Sequence, residues 1–232
     1  MSTNLPSPLS LRFDATDLRV VEPAESDWAQ NLTGTIVSTD INDNFREHIL
    51  GKFELTVINV AGAVDAGVSL AALWDDTQAL TDLWSALYRN DMRQLKAKVQ
   101  QACGVEPQVR HANCVSFDRM MIYPQYRGKG VGLRALRTLV AHFWGREIAL
   151  FALIPSPLQC TSGQYLSPDE QAEYRSFGLH ELPQDKPTGV ARLRAYWAQA
   201  GFVQVPGTPY MVASAAAPAD VCAWWAGGGR QD

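Results

Sequence analysis

Six consecutive residues, Arg127-Gly128-Lys129-Gly130-Val131-Gly132, have the side-chain types that hold phosphate. Glycine reaches positive φ and lets a ligand approach its backbone amide. Where such a turn opens a helix, the free N–H groups and the positive end of the helix dipole converge on one hollow. Three patterns compete for the stretch. A phosphate loop of the Walker type needs Gly-Lys-Ser/Thr, but Gly130 follows Lys129. The dinucleotide fingerprint needs glycine at position 133, which is Leu133. The third pattern, Arg/Gln-x-x-Gly-x-Gly/Ala, is filled by Arg127, Gly130 and Gly132.

The flanking residues say what positions this turn. Met120 to Tyr123 are apolar and strand-like, and Pro124 has no N–H with which to continue a ladder. After the glycines, Leu136, Leu139, Val140 and Phe143 recur at helical spacing, which predicts a helix over 131–144. Glu147 to Ile154 is nearly all apolar, as in a parallel strand buried on both faces. Strand, helix and strand over 114–154 make one right-handed crossover between parallel strands. Pro155 and Pro157 then stop lateral pairing.

Other chemistries are poorly supplied. The histidines His48, His111, His142 and His180 have no partner at metal-ligand spacing, so no metal is expected. Cys103, Cys114, Cys160 and Cys222 form no Cys-x-x-Cys pair and read as reduced thiols of a cytoplasmic protein. The 232 residues carry a formal net charge of −4 and no basic run, which argues against a nucleic-acid partner. The longest apolar run, Ile148 to Ile154, is too short to span a bilayer, and the N-terminus lacks the pattern of a signal peptide. No membrane partner is expected.

In chain order, residues 1–30 read as an N-terminal extension, 31–214 as one domain, and 215–232 as a C-terminal tail. Strands are expected at Leu32–Ile41 and Lys52–Ala61, and 63–72 is a loop or short helix. A helix capped by Asp75-Asp76-Thr77 follows, with Leu80, Leu83, Trp84, Leu87 and Tyr88 as its apolar stripe. Arg89 to Asp91 break it before a second helical stretch that ends near Ala102. Residues 158–187 form a polar insert with one short helix, with Ser167 as its cap and Pro168 at its first position. Thr188 is expected to cap the next helix, whose face is Val190, Leu193, Trp197 and Ala200, and Gly201 ends it. Short strands at 202–205 and 210–212 complete the domain.

Pro-Gln-Tyr-Arg-Gly-Lys-Gly-Val-Gly132 resembles the acetyl-CoA pyrophosphate loop of the GNAT N-acetyltransferase superfamily. Leu-Arg-Ala-Tyr-Trp-Ala-Gln-Ala-Gly-Phe202 is similar to that superfamily's late helix and strand. Glu54 to Trp74 also looks like bacterial GNAT-type proteins without an assigned substrate. The two motifs cover about 114–212, in the expected order.

The resemblance implies an α/β (α+β) GNAT fold, with a central mixed sheet splayed between two parallel strands and helices on both faces. It implies acetyl-CoA as co-substrate, an amine acceptor and direct acyl transfer. A non-catalytic acyl-CoA-binding protein on the same fold is the alternative. Met120, Met121 and Ile122 would pair through their main chain with the pantetheine arm, which enters the gap like a strand. Arg127, Gly128, Lys129, Gly130, Val131 and Gly132 would hold the pyrophosphate, and a strand N–H near Ile122 would face the oxyanion. Strand periodicity puts Asp118 on the face of Met120 and Ile122, which makes it the candidate base. In many members a tyrosine five residues before the phenylalanine of Gly-Phe protonates the departing sulfur. Here that position is Trp197, and its neighbour Tyr196, rotated by about 100° on a helix, is the candidate acid. The insert 158–187 is expected to wall the acceptor pocket.

Overall fold

The strand-forming stretches build one seven-stranded sheet in the order β1-β2-β3-β4-β5-β7-β6. The computed structural model describes residues 9–14, 28–40, 44–105, 112–143, 148–161 and 166–215. Its strands are β1 (Leu9–Phe13), β2 (Ala29–Asp40), β3 (Arg46–Ile58), β4 (Asn113–Ile122), β5 (Ile148–Leu153), β6 (Val203–Gln204) and β7 (Met211–Ser214). All neighbours are antiparallel except β4 and β5, which run parallel. The sheet is therefore mixed, and its one parallel pair lies where the strand–helix–strand pattern required it.

The helices are α1 (Val60–Asp65), α2 (Leu70–Asp75), α3 (Gln78–Leu87), α4 (Ala97–Cys103), α5 (Val131–Phe143), α6 (Pro168–Ser176) and α7 (Lys186–Ala198). The sheet separates two cores. On one face Ile58, Cys114, Leu150 and Val212 pack with Leu73 and Trp74 of α2, Leu83 and Leu87 of α3 and Val99 of α4. On the other face Leu55, Val115, Phe117, Phe151 and Leu153 pack with Leu136, Leu139 and Phe143 of α5. Successive residues of β5 enter opposite cores, which is why its sequence is apolar throughout. A third cluster, Met121, Tyr174, Phe177 and Leu179, lies under α6.

Several boundaries differ from the sequence expectation. Leu9–Phe13, within the expected extension, pairs with β2 as an edge strand, and Phe13 packs edge-on to Phe53 and Phe143. β3 begins at Arg46 rather than Lys52, because the long β2–β3 hairpin continues past the apolar alternation into solvent. It ends at Ile58, because the Asn59 side chain accepts from Gly62 N–H and starts α1. The stretch 63–72 divides between α1 and α2. Thr77 caps α3 as expected. α7 starts earlier than expected: Asp185, not Thr188, is its cap, and its carboxylate accepts from Thr188 N–H at 3.1 Å. The expectations for the tail beyond Ala215, for Cys222, for His111 and for most of the N-terminal extension lie outside the described residues.

Candidate active site

β4 and β5 separate before β4 ends. Their last paired residues are Phe117 and Leu153, and β4 continues to Ile122 with β3 as neighbour on its other side. β5 stops at Leu153, and Pro155 cannot donate to a ladder. The gap opens into a cavity of about 900 Å³. Its floor is the free edge of β4, its far wall is Leu153, Ile154 and Pro157, and α7 closes one side with Leu193, Tyr196 and Trp197. Leu158, Leu179 and Leu182 of the insert form another wall. No residue of α7 is fully buried, and the helix borders the cavity on one side while Trp197 reaches the α5-side core.

The glycine turn lies at one end of this cavity. Pro124–Tyr126 form a single 3-10 turn, and Gly128 and Gly130 have φ of +71° and +72°. A Cβ built on either would meet no atom within 4 Å, so glycine is needed for the backbone angle and the space in front of it is free. The first turn of α5 contains no acidic side chain to occupy its amides. Lys129 is exposed, 6.0 Å from the Tyr126 ring centroid. The Arg127 side chain is engaged within the protein. Its Nε donates to the Ile122 carbonyl at 3.0 Å, and the guanidinium nitrogens donate to the Phe177 and Gly178 carbonyls. Burial is the main cause that lowers its pKa from the ordinary value. The Arg127 side chain therefore fastens the turn to the insert, and the Ile122 carbonyl already has a partner.

Asp118 stands where the sheet opens. In the β3–β4 ladder Glu54 pairs with Arg119 and Leu55 with Phe117, so Asp118 is an extra residue, a β-bulge. The bulge corrects the face assigned from periodicity. Met120 and Ile122 pack on the α5 side with Phe117. Asp118 instead turns to the opposite face, where its carboxylate accepts from Thr56 Oγ1 at 2.6 Å and from Ser116 Oγ at 2.8 Å. By surface area the side chain is exposed, yet burial is the first cause that raises its pKa above the usual carboxylate range. Both hold in a concave site: water reaches the carboxylate, but protein surrounds it on most sides. Met121 faces α6 and is buried.

Tyr196 and Trp197 diverge as their spacing on α7 requires. Trp197 packs against the α5-side core. The Tyr196 hydroxyl accepts from Leu133 N–H at 3.0 Å, at the N-terminus of α5. Burial raises its pKa further, outweighing the Leu133 bond, so the phenol keeps its proton at neutral pH. A phenol oxygen that accepts from an amide still has its own O–H to donate. The structure thus brings Asp118, Tyr196 and the turn residues Arg127, Gly128, Gly130, Val131 and Gly132 to one cavity, with Met120 to Ile122 along its floor.

No family model and no curated protein matches the chain. Solved structures with some likeness include a tyrosine-to-phenylalanine mutant of KacT, 12% identical, which aligns over 85% of this chain and 75% of that one at a TM-score of 0.39. A KacTA–DNA complex is 10% identical over 94% and 99%, at a TM-score of 0.40. AtaT complexed with acetyl-methionyl-tRNAfMet is 10% identical over 86% and 76%, at a TM-score of 0.33. Likeness this low passes nothing about function to this chain. The strand order, the single parallel pair opening beyond Phe117 and the glycine turn that begins α5 are this chain's own features. The fold is GNAT-like.

In this GNAT-like frame the insert has a part that spacing alone could not give. Phe177 stacks on Tyr123 with ring centroids 4.2 Å apart, directly before the glycine turn. Lys52 and Arg119 form ion pairs with Glu173 and Glu170 of α6, and Arg119 lies over the Tyr174 ring. Thr56 and Asn31, which complete the surroundings of Asp118, come from other strands. Thr56 lies on the polar-facing positions of a β-branched stretch, which is the only sequence feature that marks it. Among the described residues no three His, Cys, Asp or Glu side chains are grouped to hold a metal ion. Among them, too, no helix is long and apolar enough to cross a membrane.

Proposed function

We propose that the protein is an acetyl-CoA-dependent N-acetyltransferase acting on an amine. The observation that carries this reading is the opening of the sheet beyond Phe117 and Leu153, with a glycine turn at one end and a carboxylate at the other. A long, thin, largely apolar ligand with an anionic segment fits such a gap. The free space before Gly128 and Gly130 and the α5 amides suit the pyrophosphate, with Lys129 adding positive charge. The exposed edge of β4 at Met120 to Ile122 suits the amide-bearing pantetheine arm, and Leu153, Leu182 and Leu193 supply apolar walls.

When bound, acetyl-CoA supplies an activated acyl thioester. The chain's own residues handle the protons. An alkyl ammonium of pKa about 10 must lose a proton before its nitrogen can attack. Asp118, water-accessible and raised in pKa, is the proposed acceptor of that proton. The Tyr196 O–H, free to donate while Leu133 N–H holds its oxygen, is the proposed partner of the departing sulfur. Transfer from a phenol to a thiolate of pKa about 8.5 is uphill. The phenol therefore acts first as a hydrogen-bond donor, and water can complete the transfer.

Release of free thiol from acetyl-CoA, measured with a panel of peptide N-termini, lysine peptides, polyamines, aminoglycosides and aminoacyl-tRNA, tests the reading. Amine-dependent thiol release is the expected result. CoA binding without release for any amine would leave a non-catalytic acyl-CoA-binding protein.

A further inference from the structure

Three neighbouring strands place polar side chains side by side on the face to which Asp118 turns. Asn31 of β2 pairs with Thr56 of β3, and Thr56 pairs with Ser116 of β4. The bulge brings Asp118 back to this row. Thr56 Oγ1 lies 2.8 Å from Asn31 Oδ1 and 2.6 Å from Asp118 Oδ2, and Ser116 Oγ lies 2.8 Å from Asp118 Oδ1. Thr56 is buried, whereas Asn31 and Asp118 at its two sides are exposed.

A hydroxyl has one hydrogen. Thr56 cannot give it to Asn31 Oδ1 and Asp118 Oδ2 together. When Asp118 is a carboxylate, the hydrogen goes to Asp118, and Asn31 must turn its NH2 toward Thr56. When Asp118 is a carboxylic acid, its own O–H donates to Thr56, and Thr56 donates to Asn31 Oδ1. Thr56 keeps a hydrogen bond to both neighbours in each state, and a half-turn of the Asn31 amide, which exchanges Oδ1 for the NH2 group, separates them.

We propose that Asn31, Thr56 and Ser116 are positioning residues that hold Asp118 in one place through both of its protonation states. The proposal rests on the reading of Asp118 as the proton acceptor in amine acetylation. The proton balance is complete. The ammonium gives one proton to the Asp118 carboxylate, and the freed nitrogen attacks the acyl carbon. The C–S bond breaks, the sulfur takes up the amine's second proton, and Asp118 returns its own to water. An unsupported carboxylate would lose a hydrogen-bond partner on accepting the proton and would be free to rotate away. Here Asp118 exchanges donor for acceptor with Thr56 and stays in place.

Other charged or titratable groups bear on Asp118 from each packed element. Arg119 beside it favours the carboxylate. Glu54 on β3 opposes it, its own pKa raised chiefly by burial. Cys114 on β4 and Tyr210 ahead of β7 also feel Asp118, but burial raises both so far that they are neutral at working pH. From α6, Glu170 offsets part of the Arg119 charge. Against this background the Thr56 and Ser116 bonds lower the Asp118 pKa, so removing either must raise it.

The test is a carboxyl carbon-13 NMR titration of Asp118 in wild type, Thr56→Val, Thr56→Ser and Ser116→Ala, paired with pH profiles of kcat/KM. Thr56→Val should move the Asp118 titration up, by the amount by which the bond to the charged carboxylate exceeds the bond from the carboxylic acid, which is less than the roughly one pH unit of a whole hydrogen bond to a charged group. Thr56→Ser should restore it, and Ser116→Ala, on the more open side, should shift it the same way should Thr56→Val fold poorly. The acidic limb of kcat/KM should follow the titration. An Asp118 titration unchanged by both removals overturns the proposal. A titration that shifts while the kinetic limb stays fixed also overturns it as a device for catalysis, and the reading of Asp118 as proton acceptor falls with it. A titration and limb that move together, with transfer intact, support both.

Discussion

The Tyr196 hydroxyl is wedged against the start of α5, 3.0 Å from the Leu133 nitrogen and 2.8 Å from the point where a Cβ on Gly132 would lie. A one-carbon change at Gly132 therefore reaches Tyr196 directly, although the two residues lie on different helices of the cleft. Gly132→Ala is expected to displace the phenol and to mimic part of the effect of Tyr196→Phe. Tyr196→Phe keeps the ring but leaves Leu133 N–H without its partner, and kcat should fall by roughly two decades with KM for acetyl-CoA little changed. Steady-state kinetics of the two variants check this. A Tyr196→Phe enzyme within threefold of wild type would remove the phenol from the mechanism.

Arg127 gives a second expectation. Its guanidinium donates to three main-chain carbonyls, at Ile122, Phe177 and Gly178, so the part proposed for it in ligand binding is to hold the turn rather than to meet phosphate. Arg127→Lys keeps the charge but cannot reproduce the fork of donors. It should weaken CoA binding about as much as Arg127→Met, by roughly tenfold, in line with about 1.4 kcal/mol of lost loop order. Full rescue by lysine in a binding titration would show that charge is what matters. Phe177, stacked on Tyr123 and fully buried, couples the insert to the same turn. Phe177→Ala should lower the unfolding free energy by about 3–5 kcal/mol, as read by denaturant titration.

Asp118 supplies the pH dependence. Its folded-state pKa is raised, so between the unfolded value of about 3.9 and the folded one the folded state binds more protons. Stability from this group is therefore greatest at low pH and is lost as pH rises through the folded pKa. Glu54, raised mainly by burial, acts in the same direction. Asp118→Asn removes the ionisation. Its thermal midpoint at neutral pH should equal or exceed that of wild type, while kcat/KM falls by roughly 10²- to 10⁴-fold and loses its acidic limb. A marked loss of thermal stability with transfer intact would assign Asp118 to structure instead.

The local features of this fold were legible in the sequence because local rules govern them. The positive-φ glycines at 128 and 130, the Ser167 cap with Pro168 at the first helical position, and the two-faced burial of Ile148–Leu153 follow from neighbours within a turn or a strand. What was not legible depends on registers between strands. The face of Asp118 was misread because an extra residue in β4 breaks the period of two, and that residue is extra only relative to β3. The use of Arg127 was not visible because its acceptors, Phe177 and Gly178, lie some fifty positions away. The start of α7 was placed late because Thr188 and Asp185 both suit a cap, and Pro187 in the first turn lets the earlier one prevail.

CoA is proposed to lie in the gap between β4 and β5 with its pyrophosphate at the glycine turn. Calorimetric titration of CoA into wild type and Gly130→Asp tests it most directly. Aspartate tolerates positive φ better than most residues, and nothing lies within 4 Å of the new Cβ, so the variant should fold. It places a carboxylate in the space proposed for phosphate. Wild type should bind CoA, and the folded variant should bind it at least about a hundredfold more weakly, on the order of 2.7 kcal/mol. Equal affinity in two folded proteins, or no binding by wild type, would contradict the account.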